Sequence, residues 1–491
     1  AKVTAATGET QTYEKLSDAF MAAKDGDTID ILQDASENSE ADLAYGYGEE
    51  GEGGVWMFIQ DKSLTINGNG HTLTSNTAAW AMYVIDADDT MDTLTIKDLT
   101  IVSKVQKIQH PNTELHGAPI VLFHGYAKLN LSNVTLDSTA TGVGNMAPLR
   151  VAGNGDNNII NISDSRLLAN KNNGYAMIAF NPVDLTVDNS TLSGWSALYM
   201  TGTAKGTALG TAGSEVIIQN GSTLTTQSVH NDSSINMFGV LAFEDNNITV
   251  DIKDSKITAD CTGDAPQYVV YYSNFDKQSR TGIEVDFANT DVAITGEQMN
   301  FVGGYGAPSI KEQDVEVAGG NFNFDVNADY FAPGYAQNED GYVLPSDQQD
   351  AVVQVEKGDG VVSYYNDLQT AVDAAVDGDV VVVIKDITTS SALIKNTIST
   401  PLAAEIVIDL NGKTITATGS GYYLFDLIPT ASLTVTSSNG NATIVANQAM
   451  QIRAYDAPTV DILVENIDFS GTITDKSAIY LNKYGAVEKQ N

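Results

Sequence analysis

Between Leu64 and Val292 one eight-residue pattern keeps returning: apolar, any, apolar, any, Asp or Asn, any, any, apolar. It stands as LTIKDLTI from Leu94, LNLSNVTL from Leu129, INISDSRL from Ile160, LTVDNSTL from Leu185, VDIKDSKI from Val250 and VDFANTDV from Val285, with a looser VIIQNGSTL at Val216. Counted from Leu64, successive starts lie 30, 35, 31, 25, 31, 34 and 35 residues apart. A strand motif at that spacing is the mark of a solenoid, whose repeats bury their apolar faces only by stacking on one another. The central Asp or Asn suits a tight corner between two strands. A second apolar or aromatic run lies between motifs, as in AWAMYVID from Ala79, YAMIAFN from Tyr175, INMFGVLAFE from Ile235 and QYVVYYSNF from Gln267. Two or three strands per repeat fit a coil of a parallel β-helix better than a leucine-rich repeat, which needs a helix or a Leu-Asn signature per turn. A β-sandwich is the main rival, but strands every 8 to 12 residues do not explain the longer recurrence. About nine coils at strand spacing would extend roughly 40 Å.

A longer stretch occurs twice. Tyr13 to Asp34 (YEKLSDAFMAAKDGDTIDILQD) aligns without a gap on Tyr365 to Asp386 (YNDLQTAVDAAVDGDVVVVIKD), at an offset of 352 residues. Downstream, LTINGNGHTLT from Leu64 matches IVIDLNGKTIT from Ile406 after the first copy takes ten extra residues. Leu16, Ala19, Phe20 and Ala23 recur at i, i+3, i+4, i+7, as do Leu368, Ala371, Val372 and Ala375, so each copy predicts a short amphipathic helix. Asp-Gly-Asp follows, with a glycine suited to ending a helix, and then an apolar run such as Val380 to Ile384. The expectation is an all-β chain of two tandem β-helix modules, each opened by a short N-terminal capping helix. The first spans 1–345, with an aromatic closing segment at 315–345; 346–350 reads as a linker. The second spans 351–491 and stops without a closing segment, as a truncated module would. The acidic stretch from Ala35 to Gly54, largely missing from the second copy, predicts a surface loop.

Composition narrows the choice of partners. A net charge of −38 with only 25 Lys and Arg makes nucleic acid, anionic membrane and polyanionic polysaccharide poor partners, because the long-range field opposes their approach. The single cysteine, Cys261, excludes an intramolecular disulfide framework. No apolar run reaches transmembrane length, which argues against direct membrane insertion, and AKVTAATGET does not read as a signal peptide.

The module opening (Tyr-x-x-Leu, Ala-Ala-x-Asp-Gly-Asp, then Leu-x-Gly-x-Thr) and a closing Gly-Gly-x-Phe-x-x-Asp with Tyr330, Gly334 and Tyr335 carry a resemblance. The chain resembles the right-handed parallel β-helix repeat modules of large surface proteins from gut Gram-positive bacteria, within the pectate-lyase-like superfamily. That resemblance implies a right-handed β-helix and an extracellular, cell-surface or secreted location. It also implies a non-catalytic adhesin or binding protein whose partner is a host glycan such as mucin, a host glycoprotein, or a secreted protein such as immunoglobulin. Enzymes of the superfamily carry Arg, Lys and Asp clusters on exposed strands, so a polysaccharide lyase or glycoside hydrolase is the alternative. A passive stalk is the third.

The aromatic residues are the leading binding candidates. Tyr83, Phe123, Tyr126, Phe180, Tyr199, Phe243, Tyr271 and Tyr272 recur on the second run of successive coils; facing outward they would make a rigid stripe for sugar rings or a protein, facing inward they are core. Alternation does not decide in runs such as YVVYY. Tyr45, Tyr47 and Trp56, in or beside the first module's insertion, are candidates for specificity. Arg150 and Arg453, on similar strands of the two modules, could act as bases, but each has an ordinary reading as an ion pair or hydrogen bond. Asp86, Asp88 and Asp89 could pair as hydrolase carboxylates, though DADDTMD reads as a solvated turn. His110, His116 and His124 lack metal-site spacing, and Asp25-Gly26-Asp27 lacks a calcium-loop pattern; no cofactor is expected.

Overall fold

The computed structural model describes residues 1–46, 54–85, 92–105, 118–123, 128–140, 147–152, 158–172, 174–201, 211–228, 238–261, 267–273, 282–296, 299–305, 315–358, 360–398, 401–402, 404–455, 461–470 and 478–484. It forms two compact units, Ala1–Tyr335 and Ala336–Asn491.

The first unit is a parallel β-solenoid with three strands per coil. In one coil these are Leu64–Asn67, Thr72–Ser75 and Trp80–Ile85; in the next, Thr93–Ser103 runs through the first two positions and Ala118–Phe123 takes the third. Register follows the sequence motif coil by coil. Leu64, Leu94, Leu129, Ile160, Leu185, Val216, Val250, Val285 and Val315 stand in one in-register row. All of them are buried, and each contributes about 1.5–3 kcal/mol by leaving water. A slip of one residue would turn the whole apolar row outward, so the register is strongly specified.

The corner between first and second strands is where the motif's Asp or Asn sits. Asp98, Asn133, Asp164, Asn189, Asn220, Asp254 and Asn289 all have positive φ, between 42° and 56°. Asn and Asp tolerate this left-handed conformation better than other side-chain-bearing residues because their short polar groups bond locally. The corners are also tied to each other. Asn133 donates through Nδ2 to Asp98 Oδ1 (2.7 Å), Asn189 to Asp164 (2.7 Å) and Asn289 to Asp254 (2.8 Å). Pairing an amide with a carboxylate avoids the repulsion that stacked aspartates would suffer. Just inside the corner runs a buried hydroxyl ladder that motif matching alone does not reveal. Val134 N–H donates to Ser165 Oγ, Ser165 N–H to Ser190 Oγ, and Ser190 N–H to Ser222 Oγ (2.9, 2.9 and 3.2 Å).

Both units open in the same way. Lys2–Thr4 pairs antiparallel with Thr10–Thr12 and Asp27–Asp30, as Val353–Glu356 does with Val362–Tyr365 and Val380–Val383. Helices span Leu16–Ala22 and Leu368–Ala374, burying Leu16, Ala19 and Phe20 in one and Leu368, Ala371 and Val372 in the other. The glycines do not end these helices, contrary to the sequence reading. The chain turns extended at Ala23 and Ala375, while Gly26 and Gly378 (φ 79° and 86°) serve the turn into the next strand. The following Asp holds that turn, Asp27 accepting from Lys24 N–H (2.8 Å) and Asp379 from Val376 N–H (2.9 Å).

Two further expectations need correction. The Ala35–Gly54 insertion is not a simple surface loop: Ala35–Glu37 is a strand pairing with Leu73–Ser75, and Tyr45–Gly46 pairs antiparallel with Gly54–Val55. The stretch 315–345 divides. Phe322, Phe324 and Tyr330 pack around Phe301 in the first unit, with ring centroids 5.5–5.8 Å apart. Tyr342 and Leu344 instead join Ala351, Val382 and Ile384 in a buried cluster of the second unit. Residues 346–350 form a hydrogen-bonded turn, with Gln349 Nε2 donating to Leu344 O (3.0 Å) and Ala351 N–H to Gln348 O (3.0 Å).

Candidate functional site

Among the described residues the third sheet of the first unit has ten strands, and it gathers most of the aromatic candidates. Strand register sorts them into two rows. Phe58, Tyr83, Val121, Arg150, Ile178, Tyr199, Ala242 and Tyr271 stand in one row. One residue further along, Ile59, Val84, Leu122, Val151, Ala179, Met200, Phe243 and Tyr272 stand in the next. Because strand side chains alternate, these rows face opposite ways. Phe243 and Tyr272 belong to the interior, with exposures of 0% and 3% and ring centroids 6.1 Å apart, so they offer no ligand surface. Trp56 is also buried, at 3%.

The opposite row builds two aromatic clusters. In the early coils Trp80 stacks on Tyr83 at 4.8 Å, and Tyr83 on Phe58 at 6.0 Å. Further along, Tyr175, Ile178, Trp195, Ala242 and Tyr271 form a buried patch against which half-buried Phe180, Tyr199 and Tyr268 pack. Tyr175 lies 4.9 Å from Tyr199, and Tyr268 5.9 Å from Tyr271, centroid to centroid.

Ionisable groups thread this second cluster. Tyr199 donates through its hydroxyl to Glu244 Oε2 (2.5 Å), and Thr201 Oγ1 donates to the same oxygen (2.9 Å). Burial, then the Glu244 charge, holds the Tyr199 phenol well above its ordinary range; the same causes in the same order raise Tyr175. Both phenols therefore stay neutral donors at physiological pH. The Arg150 guanidinium, two strands from Tyr199 in the same row, sits 4.5 Å over the Phe180 ring in a cation–π contact. Stacking faces, a carboxylate, hydroxyls and a guanidinium on one sheet face suit recognition of a polar ring or a peptide.

A second grouping lies on the first sheet, outside the notice of motif spacing. Asp251, Asp286 and Glu316 stand in register on three successive coils, with Glu284 beside them. Partial desolvation of this otherwise exposed side chain, and then the charges of Asp251, Glu316 and Glu284, raise the Asp286 carboxyl above its ordinary value. The signal was present in the sequence as V-D-I, V-D-F and V-E-V at equivalent motif positions. A carboxyl whose folded pKa is raised costs stability above that pKa, and the cost vanishes once pH falls below the unfolded value. Asp286→Asn is therefore expected to raise the thermal midpoint at pH 7, with the gain shrinking as the pH approaches the ordinary carboxylate range. Thermal unfolding of both proteins across that range checks this; an unmoved midpoint at pH 7 would show that solvent already screens the row.

The remaining candidates separate. Arg453 Nε is ion-paired with Asp426 (2.8 Å), and its Nη2 donates to Asn396 O (3.1 Å), the ordinary reading rather than a free base. Tyr45 and Phe123 lie on strands, though no side-chain contact of theirs is described; Tyr47, Tyr126, Asp86, Asp88, Asp89, His110, His116 and His124 lie outside the described residues. Glu244, Thr201, Tyr175 and Tyr268 were missed by sequence reasoning. Glu244 had a usable signal, since it lies two residues beyond Ala242 and so shares its strand face.

No family model matches the chain, and no curated protein matches it. Among solved structures it is similar to an Arg-to-Ala mutant of the PL6-family alginate lyase AlyGC, at 12% identity and a TM-score of 0.29, over 95% of this chain and 79% of that one. So distant a likeness says nothing about chemistry.

Proposed function

We propose that this chain is a non-catalytic binding module displayed outside a bacterial cell, and that its third sheet recognises a glycan. What supports the reading is the half-buried Phe180, Tyr199 and Tyr268, packed on a buried base of Tyr175 and Tyr271, with Glu244 held beside Tyr199. Aromatic faces take the apolar side of a sugar ring, while a carboxylate and hydroxyls take its hydroxyl groups. The test is the purified chain against host glycans, mucins and secreted proteins including immunoglobulin, scored for binding and for released product. Saturable glycan binding without product is expected, and Tyr268→Ala is expected to weaken it about tenfold, the scale of one aromatic anchor. Binding to a secreted protein alone would move the partner class.

The acidic row favours a second reading, a glycoside hydrolase. Neighbouring strands stand about 4.8 Å apart, near the spacing of paired catalytic carboxylates. Released oligosaccharide, lost in Asp286→Asn, would establish it in place of the first.

A further inference from the structure

The duplicated opening contains one substitution with a chemical consequence. In the first unit, the Lys62 ammonium donates to the carbonyl oxygens of Phe20 and Ala23 at the end of the first helix, both at 2.8 Å. At the offset that pairs Leu64 with Ile406, the residue matching Lys62 is Ala404. Two backbone N–H bonds of the surrounding turn recur in both units. Ser63 N–H donates to Asp25 Oδ1 and Glu405 N–H to Asp377 Oδ1, each at 2.8 Å. Gly26 N–H donates to Ser63 O and Gly378 N–H to Glu405 O, again at 2.8 Å. The carbonyls that match those of Phe20 and Ala23 are therefore those of Val372 and Ala375, and among the described residues no side-chain amine reaches them.

A cavity of about 370 Å³ lies at this place, its lining including Val372, Asp373, Ala375, Asn396, Leu402 and Ala404. Asp373 stands where the first unit has Met21, so a carboxylate has replaced a thioether. Asn396 is 3% exposed, and its Oδ1 is buried without a hydrogen-bond partner. A buried acceptor left unmatched is unfavourable, and a donor entering the cavity would relieve it.

We propose that this cavity binds a primary ammonium group on an alkyl chain, the group that Lys62 supplies from within in the first unit. An ammonium has three N–H donors and no acceptor; the carbonyls of Val372 and Ala375 and the Asn396 Oδ1 offer three acceptors. The carbonyl end of a helix favours a cation, as do Asp373 and Asp377. Val372, Leu402 and Ala404 cover the alkyl stem, as nonpolar surface covers a lysine stem. This inference is independent of the third-sheet reading. Its chemistry is met by a lysine side chain of a partner or by a free alkylamine.

The experiment is isothermal titration of the full chain with n-butylammonium chloride, against tetramethylammonium chloride at equal ionic strength. One saturable site for n-butylammonium is expected, with none for tetramethylammonium, which has no N–H. Ala404→Lys should abolish the site by filling it from within, and Lys62→Ala should raise the stoichiometry to two. If Lys62→Ala does not fold, Ala404→Lys decides alone. Absence of saturable heat, equal heat from tetramethylammonium, binding that survives Ala404→Lys, or a folded Lys62→Ala still binding one equivalent would each overturn the proposal. Nα-acetyl-lysine N-methylamide, whose side-chain ammonium is free, separates the sources: binding like n-butylammonium points to a lysine of a partner, and failure beside n-butylammonium binding points to a free amine.

Discussion

Glu37→Ala is expected to destabilise the first unit by about 3–5 kcal/mol, the scale of several buried donors losing their acceptor together. The Glu37 side chain is fully buried. Its carboxylate accepts from the backbone N–H groups of Asn76, Thr77 and Ala78 (3.1, 2.9 and 2.9 Å) and from the hydroxyls of Ser75 and Thr77. Those donors form the corner between Thr72–Ser75 and Trp80–Ile85, so one carboxylate from the preceding coil holds the next coil's turn. Alanine leaves the donors facing an apolar space, at about 1–3 kcal/mol for each that finds no water. Glu37→Gln retains one acceptor oxygen and should lose less. Urea unfolding measures both, and a loss below about 1 kcal/mol for the alanine variant would mean that water replaces the carboxylate.

Gly320→Ala should be nearly as damaging, for a backbone reason. Gly320 has φ of +100°, and a Cβ there would lie 2.0 Å from Thr290 O and 2.5 Å from Thr290 C. Both the left-handed conformation and the overlap oppose the methyl group, and a backbone atom cannot rotate away. The φ strain costs about 1–3 kcal/mol, and forced overlap in a packed site adds about as much. Gly334, also in the closing stretch of the first unit, separates the two effects. Its φ is +86°, yet nothing lies within 4 Å of an added Cβ, so Gly334→Ala should cost only the strain, about 1–2 kcal/mol. Equal losses for the two variants in denaturant unfolding would remove the clash from the explanation.

The aromatic runs mark where sequence reading reached its limit. Tyr271 and Tyr272 are adjacent and equally apolar in character, and a period-two pattern cannot say which faces the core when both do so in part. Register separates them, placing Tyr271 in the row of Tyr199 and Tyr272 in the row of Phe243, and packing buries both. Lys62 and Ala404 show a different limit. The alignment exposes the substitution, but only packing shows that the lysine lies on helix carbonyls in one unit while a cavity stands at the matching place in the other.

The sequence by itself determined the coil period, the strand register and the Asp or Asn corners, because these depend on local alternation and on backbone conformations that only a few residues tolerate. Only the tertiary structure decided which polar residues meet: Glu244 with Tyr199 forty-five positions earlier, Asp286 between Asp251 and Glu316, and the buried Glu37 with a corner forty positions on. In a solenoid, neighbours in space lie one coil apart in sequence, and loops of unequal length set which residues are brought side by side.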